Sequence, residues 1–220
     1  AVLVEHGHGL IGVDPEGNKL WGVRRLGGVW TGGSHLARDD GPEADPEVIA
    51  YVGSWWSAGG GKGEVRLTAL RRDGRQQTVL KHRMESKKKA RLGGLAVRNG
   101  LLVASLPEVG QILFVNAPNG DVAGTVEMKS PGSLAFDAAG ELLMLSGTQL
   151  LRYDVSGSPP RLTDRRVVIS RNLEAPRRIS LAPGGGIYVS DWGESHQVKL
   201  FSADGQLQRT IGRPGGPQVG

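Results

Sequence analysis

Short apolar runs that end in serine recur four times along the chain. They are Tyr51–Ser54, Leu102–Ser105, Leu143–Ser146 and Tyr188–Ser190. Each run precedes a loop, a second apolar run and a tight turn closed by a glycine: Gly74, Gly120, Gly157 and Gly205. The serines are 51, 41 and 44 residues apart, which is the period of four-stranded propeller blades. The pattern therefore predicts an all-β chain of repeated four-stranded antiparallel sheets.

Alternation of apolar and polar positions predicts the strands of each repeat. In the last repeat they are Arg178–Leu181, Ile187–Ser190, Gln197–Phe201 and Leu207–Ile211. Asp204-Gly205 supplies the positive φ that a tight hairpin needs. In the first strands of the last three repeats a small residue stands between two larger apolar ones, as expected where strands converge on an axis. These small residues are Ala96, Ala135 and Ser180.

The whole chain, 1–220, is predicted to be a single β-propeller. The expected blades are residues 25–83, 90–128, 131–170 and 174–212, followed by a connector, 213–220. Residues 1–24 predict a partial blade, because Leu10–Val13 and Leu20–Val23 resemble only its outer half. We expect about four complete blades plus this partial one, as a portion of a larger propeller. A closed four-bladed ring with a short N-terminal extension is the alternative.

The segment from Pro176 to Gly216 resembles the NHL repeat. It has the order of a proline, an apolar strand, a glycine turn, Tyr188-Val-Ser-Asp191, a loop, Val198-Lys-Leu-Phe201 and Asp204-Gly205. Repeats near Leu92 and Pro131 match less fully and lack the aspartate after serine. The first repeats are similar to quinoprotein-type propeller repeats. This resemblance implies a propeller and leaves the activity open, because such propellers serve as binding platforms, lactonases and lyases.

Composition excludes several kinds of site. The chain has no cysteine, which rules out a disulfide framework, a thiolate metal site and a thiol nucleophile. No apolar stretch approaches the roughly 18 residues that cross a bilayer, and no secretory signal is visible. We expect a bacterial protein in an extracellular or periplasmic location, and a cytoplasmic location stays open.

The net charge of +5 raises the question of anionic partners. Much of the excess lies in Lys81–Arg91, which has seven basic residues and one acidic residue. Sites for single-stranded nucleic acid combine such charge with aromatic stacking, and no aromatic residue lies in this segment. A solvated connector is therefore favoured over a nucleic-acid site, and no membrane insertion is expected.

Loops between second and third strands share one face of a propeller with the connectors between blades. These loops vary in length and sequence here, and variable loops on a rigid scaffold usually carry binding residues. The predicted binding residues are Trp55, Trp56, Lys87, Lys88, Lys89, Arg171, Asp191, Trp192 and His196. In the alternative, the tryptophans pack between blades and Asp191 receives backbone N–H bonds within its blade.

The sequence offers little for catalysis or metal binding. His6 and His8 are weak metal candidates, since they share one side of a strand but have no evident third ligand. A metal at Asp191 would need oxygen ligands from other blades, and the equivalent positions there are Trp55, Leu106 and Gly147. We assign no catalytic residue and expect no cofactor.

Three functions follow from this pattern. The first is a non-catalytic propeller that recognises a protein, another macromolecule or a glycan through its loop-rich face. The second is a metal-dependent lactonase- or lyase-like enzyme whose ligands lie elsewhere. The third is a structural spacer in a large surface or multi-domain assembly. The sequence does not indicate the oligomeric state.

Overall fold

A computed structural model describes residues 2–6, 9–13, 16, 18–24, 34–57, 63–83, 91–194 and 196–215. Within these ranges the chain forms nineteen β-strands and no helix. Among these residues there is accordingly no helix with the length and apolar character needed to span a bilayer. The all-β prediction is confirmed.

Four antiparallel sheets of four strands form a four-blade β-propeller. Within each sheet the strands pair in the order in which they occur along the chain, so each blade is a meander. The first two blades comprise β4 Ser34–Ala37, β5 Val48–Ser57, β6 Gly63–Arg71 and β7 Gln76–Arg83, then β8 Gly94–Arg98, β9 Leu101–Leu106, β10 Gln111–Asn116 and β11 Val122–Glu127. The last two comprise β12 Pro131–Phe136, β13 Leu142–Ser146, β14 Gln149–Ser156 and β15 Arg161–Ile169, then β16 Pro176–Leu181, β17 Ile187–Asp191, β18 Gln197–Phe201 and β19 Leu207–Ile211.

The N-terminal segment forms a separate antiparallel sheet of three strands. These are β1 Val2–His6, β2 Gly9–Val13 and β3 Lys19–Arg24. The two predicted strands of the partial blade correspond to β2 and β3, and β1 pairs with β2 along its whole length. This sheet therefore has one strand more than the pattern of Leu10–Val13 and Leu20–Val23 suggested.

The chain divides into two compact units. The first comprises residues 1–92, 97–102 and 115–121, and the second comprises 93–96, 103–114 and 122–220. The first unit has a core on the central strands of the β4–β7 blade, where Val52, Val65 and Leu67 are buried. In the second unit the sheets β12–β15 and β16–β19 share a cluster of buried residues: Leu143, Leu145, Leu150, Ile169, Leu173, Ile187, Val189 and Phe201.

The four predicted hairpin glycines all have positive φ: 82° at Gly74, 77° at Gly120, 84° at Gly157 and 86° at Gly205. Two of them also pack closely against backbone. A Cβ at Gly205 would collide with the carbonyl oxygen of Val168, and one at Gly120 would collide with that of Val79. At both positions the hairpin of one blade reaches the outermost strand of the preceding blade. Only glycine allows this approach without displacing the neighbouring strand.

The second strand of the first four-stranded blade is longer than predicted. We expected it to end at Ser54 and Trp55-Trp56 to begin a loop. Instead β5 continues to Ser57, and Trp55 and Trp56 pair with Val65 and Glu64 of β6. Aromatic residues favour strands, so the ladder extends through both tryptophans.

Candidate binding site

A buried carboxylate organises one edge of the β16–β19 blade. Asp191, at the end of β17, is completely buried. Its side chain accepts hydrogen bonds from the backbone N–H of Glu174 at 3.0 Å and of Ala175 at 2.7 Å. The ammonium group of Lys199 on β18 donates to the same carboxylate at 2.7 Å and to the carbonyl oxygen of Asn172, also at 2.7 Å. These bonds attach the segment before β16 to the centre of its own sheet.

The environment of Asp191 favours its charged form. Burial by itself raises the pKa of this carboxyl. The hydrogen bond from Lys199 and the backbone bonds from Glu174 and Ala175 outweigh burial, so the pKa lies below its ordinary value. Asp191 and Lys199 therefore form an ion pair at neutral pH, in which each partner compensates for the burial of the other.

Trp192 follows Asp191 directly and is exposed. At 59% exposure, it is the single exposed Trp, Tyr or Phe among the residues whose burial the structure describes. The guanidinium carbon of Arg177 lies 5.6 Å from the centre of the indole ring, within the range of a cation–π interaction. The ring of His196 lies 6.4 Å away and is tilted by 36°. Trp192, Arg177 and His196 are called the Trp192 site below.

Backbone hydrogen bonds hold Trp192 and His196, the two residues that the β17–β18 loop contributes to this site. The N–H of Trp192 donates to Ala175 at 3.1 Å, and that of His196 donates to Gly193 at 3.2 Å. Gly193 lies so close to the side chain of Glu174 that a Cβ there would collide with it. Ordering a flexible segment on binding costs conformational entropy. Residues that are already ordered in the free protein lose less entropy when they bind.

The charged residues in and beside the Trp192 site are of both signs, and the guanidinium of Arg177 lies next to the ring. Arg177 is exposed, as are Arg171 and Glu174 in the segment before β16 and Glu194 in the β17–β18 loop. An open indole face with a guanidinium beside it can stack on an apolar surface and pair with an anion at the same time. The arrangement is therefore suited to binding an anionic ligand that has an apolar face.

Several predicted binding residues lie on this edge. Arg171 is exposed in the segment before β16, and Trp192 and His196 are exposed in the β17–β18 loop. Asp191 lies beneath them, and its fully buried, hydrogen-bonded side chain has no access to a ligand in solvent. The structure thus brings together Trp192 and His196 and places Asp191 as their support, while Arg171 lies in the segment that Asp191 holds.

Trp55 has a different environment. Its ring is half-buried and lies 5.8 Å from the ring of His35. His35 is itself buried, and its Nε2 is 3.0 Å from the carbonyl oxygen of Leu92. Trp56 is the next residue of β5, and its side chain is outside the described part of the structure. Trp55 therefore packs against a buried side chain, whereas the side chains next to Trp192 are themselves exposed.

The remaining predicted residues lie wholly or partly outside the described part of the structure. Lys87, Lys88, Lys89 and His8 lie outside the described residues, and of His6 only the backbone of β1 is described. Among the residues that the structure does describe, no three His, Asp or Glu side chains group closely enough to hold a metal ion.

Two contributors to the site were missed from sequence. Lys199 shares one face of β18 with Phe201, and both are buried. A lysine two residues before a core phenylalanine is a charge on an apolar face, which predicts a buried partner. Arg177 carried no such signal, because its role depends on the position of a loop fifteen residues later.

Comparisons with known proteins identify the fold. No protein-family model matches the chain, and no curated protein sequence matches it. A Bacteroides caccae protein of unknown function is similar in structure over 95% of this chain and 76% of its own, with 16% identity and a TM-score of 0.60. A luciferin-regenerating enzyme matches over 94% and 70%, with 13% identity and a TM-score of 0.64. A chain of a nidogen/laminin complex matches over 95% and 91%, with 13% identity and a TM-score of 0.52. Since an enzyme and a component of a protein complex both share the fold, the fold alone does not choose a function.

Proposed function

We propose that this chain is a non-catalytic binding propeller that recognises a macromolecular partner through the Trp192 site. The observation that carries the proposal is an exposed indole ring on a residue held by a backbone hydrogen bond. Exposing such a ring to water is unfavourable unless a partner covers it. Tryptophan and arginine are also the residues that contribute most at binding interfaces.

An acidic glycan is the partner class that this geometry supports best. Sugar rings present apolar C–H faces that stack on indole, and uronic acids carry a carboxylate beside such a face. Arg177 is placed to pair with that carboxylate while Trp192 stacks on the ring. Exposed Arg171, in the segment before β16, adds positive charge, and the imidazole of His196 adds a hydrogen-bonding group. We propose an extracellular or periplasmic location on the same grounds, because acidic polysaccharides occur outside the cytoplasm.

We also propose that the repeats are of the NHL type. The last blade supports this assignment, because Asp191 follows Tyr188-Val-Ser190 and accepts backbone hydrogen bonds within its blade. That is the role which the resemblance implies for this aspartate. The earlier repeats lack an aspartate at this position, so their assignment depends on the shared four-stranded plan.

The proposal is tested by measuring binding of the full chain to immobilised polygalacturonate, with neutral dextran as the comparison polymer. We expect saturable binding to polygalacturonate only. Trp192→Ala should weaken it at least tenfold, which corresponds to about 1.4 kcal/mol. Arg177→Gln should weaken it less in high salt than in low salt, since exposed ion pairs are screened.

Two control variants replace residues that are exposed, as Trp192 and Arg177 are, but that lie on the outermost strands of their blades. Val167 on β15 is 45% exposed and Arg209 on β19 is exposed, so Val167→Ala and Arg209→Gln should leave binding unchanged. Equal binding by Trp192→Ala and the unmodified chain would contradict the assignment of this site. Absence of binding to any acidic polysaccharide would contradict the glycan class.

A further inference from the structure

A cleft lies along one face of the β12–β15 blade, separate from the Trp192 site. Its volume is about 360 Å³, at the lower end of the roughly 300–1,000 Å³ of small-molecule sites. Gln149, Leu151 and Tyr153 form its floor, because alternate residues of β14 share one face of the sheet. The segment 128–130, between β11 and β12, forms a wall. The hydroxyl of Ser146 donates to the carbonyl oxygen of Lys129 at 2.9 Å and fixes that wall.

The cleft contains a buried hydroxyl group with a weak partner. Tyr153 is only 4% exposed. Among the described residues, its hydroxyl has one hydrogen-bond contact, to the sulfur of Met128 at 3.9 Å. Thioether sulfur is a weak acceptor, whereas a buried tyrosine hydroxyl usually finds a strong one. This hydroxyl is therefore available to an oxygen atom of a ligand.

A bulge in β15 brings a cation to the same cleft. Arg152 pairs with Arg166 and Asp154 pairs with Thr163, so two residues, 164 and 165, lie opposite Tyr153 alone. Asp164 has a positive φ of 48°, which is unfavourable for a residue with a side chain. Bulges redirect side chains and are frequent beside functional sites. Here the extra residue places Arg165 on the lining of the cleft.

The charge of the cleft is positive. Lys129 and Arg165 line it together with uncharged side chains, and neither forms an ion pair with any residue in the described part of the chain. Arg165 also borders a neighbouring depression that contains Glu141 and Asp154. Those two carboxylates are paired with Arg166 instead, so they leave the guanidinium of Arg165 to a ligand.

We propose that this cleft binds a small organic carboxylate with a flat apolar body. The carboxylate would lie between Lys129 and Arg165 and accept a hydrogen bond from the hydroxyl of Tyr153. The body would pack on Leu151 and on the thioether of Met128, since sulfur makes favourable contacts with aromatic rings. Charge and apolar surface are both required, so neither an inorganic anion nor a neutral aromatic compound satisfies the site.

The test uses benzoate as the probe, with inorganic phosphate and benzyl alcohol as comparisons. Titration of the full chain is followed by calorimetry and by amide chemical shifts. We expect benzoate to bind saturably with one site per chain and its shifts to map to β14 and β15. Phosphate and benzyl alcohol should each bind at least tenfold more weakly. Absence of saturable benzoate binding, or equally tight phosphate binding, would overturn the proposal.

Variants assign the roles of the side chains. Arg165→Gln should weaken benzoate binding at least fivefold, and Tyr153→Phe at least threefold. Arg161→Gln, exposed on the same strand but outside the cleft, should have no effect. Should Arg165→Gln not fold, Lys129→Gln provides the same test at an exposed position. Unchanged affinity in the folded Arg165 or Lys129 variant would overturn the proposal. The Trp192 site is not involved, so polysaccharide binding should be unaffected by all of these changes.

Discussion

The ammonium group of Lys199 lies 2.7 Å from the carboxylate of Asp191, and both side chains are buried. Lys199 is 7% exposed and Asp191 is completely buried. The pair connects two strands of the last blade to the segment that precedes it. It therefore supports the loop of the Trp192 site from below.

Removing the cation should destabilise this blade. Lys199→Met leaves the carboxylate of Asp191 buried without its partner, which we expect to lower the free energy of unfolding by about 3–5 kcal/mol. The double variant Asp191→Asn/Lys199→Met should be less destabilised than the single variant, because no unpaired charge remains and the amide oxygen can still accept the backbone N–H bonds. Denaturant unfolding of the three proteins measures the difference. A double variant less stable than Lys199→Met would contradict a pairing role.

The stability of the blade should depend on pH through Asp191. Its pKa is lowered by folding, so the unfolded chain binds a proton at a higher pH than the folded chain does. The stabilisation is then complete above about pH 4 and is lost as the pH falls through the lower folded pKa. In Asp191→Asn the free energy of unfolding should fall less steeply as the pH falls below about 4. An identical pH dependence of the free energy of unfolding in both proteins would contradict a lowered pKa of Asp191 in the folded chain.

The hairpin glycines should differ in their tolerance of a side chain. At Gly205 an added Cβ meets the carbonyl of Val168. At Gly184, in the β16–β17 turn of the same blade, an added Cβ has no atom of a described residue within 4 Å apart from its chain neighbours. Both have positive φ, 86° and 90°. Gly184→Ala should cost about 1–2 kcal/mol from the backbone conformation alone. Gly205→Ala should cost about 1–3 kcal/mol more through overpacking. Equal losses in thermal unfolding would contradict the close contact between the two blades.

Replacing a buried threonine hydroxyl by a methyl group should stabilise the protein. Thr68 on β6 is buried, and within the part of the chain that the structure describes its hydroxyl has no hydrogen-bond partner. Thr68→Val keeps the shape and removes the desolvation cost, so it should raise the free energy of unfolding by about 1 kcal/mol. Thr78→Val, at the exposed cross-strand partner, should change stability by less than about 0.5 kcal/mol. A destabilised Thr68→Val protein would indicate a partner for this hydroxyl.

The repeat period was sufficient to predict the fold because strand and turn signals are local. The serine-terminated runs fall on β5, β9, β13 and β17, and the glycines fall in the hairpins. The N-terminal β1 was harder to place, since it precedes the recurring runs and has no counterpart in the repeat with which to be aligned. Trp55 and Trp56 were placed in a loop because a glycine-rich stretch follows them, yet pairing with β6 extends the strand.

The site was predictable only where a residue's role follows from its neighbours in sequence. Trp192 was predicted because it follows a second strand, and backbone hydrogen bonding by Asp191 was the alternative that its position in the repeat offered to a binding role. The contact of Arg177 with Trp192 depends on how the loop folds back over β16. The cleft at Tyr153 depends on a bulge in β15, and one extra residue leaves no clear mark on a period-two pattern.

The most direct test of the binding account follows the indole N–H resonances of the five tryptophans during titration with oligogalacturonate. The resonance of Trp192 is assigned by its loss in Trp192→Phe. The account predicts that this resonance shifts saturably while the other four stay in place. Saturable binding in which the Trp192 resonance does not move would contradict it.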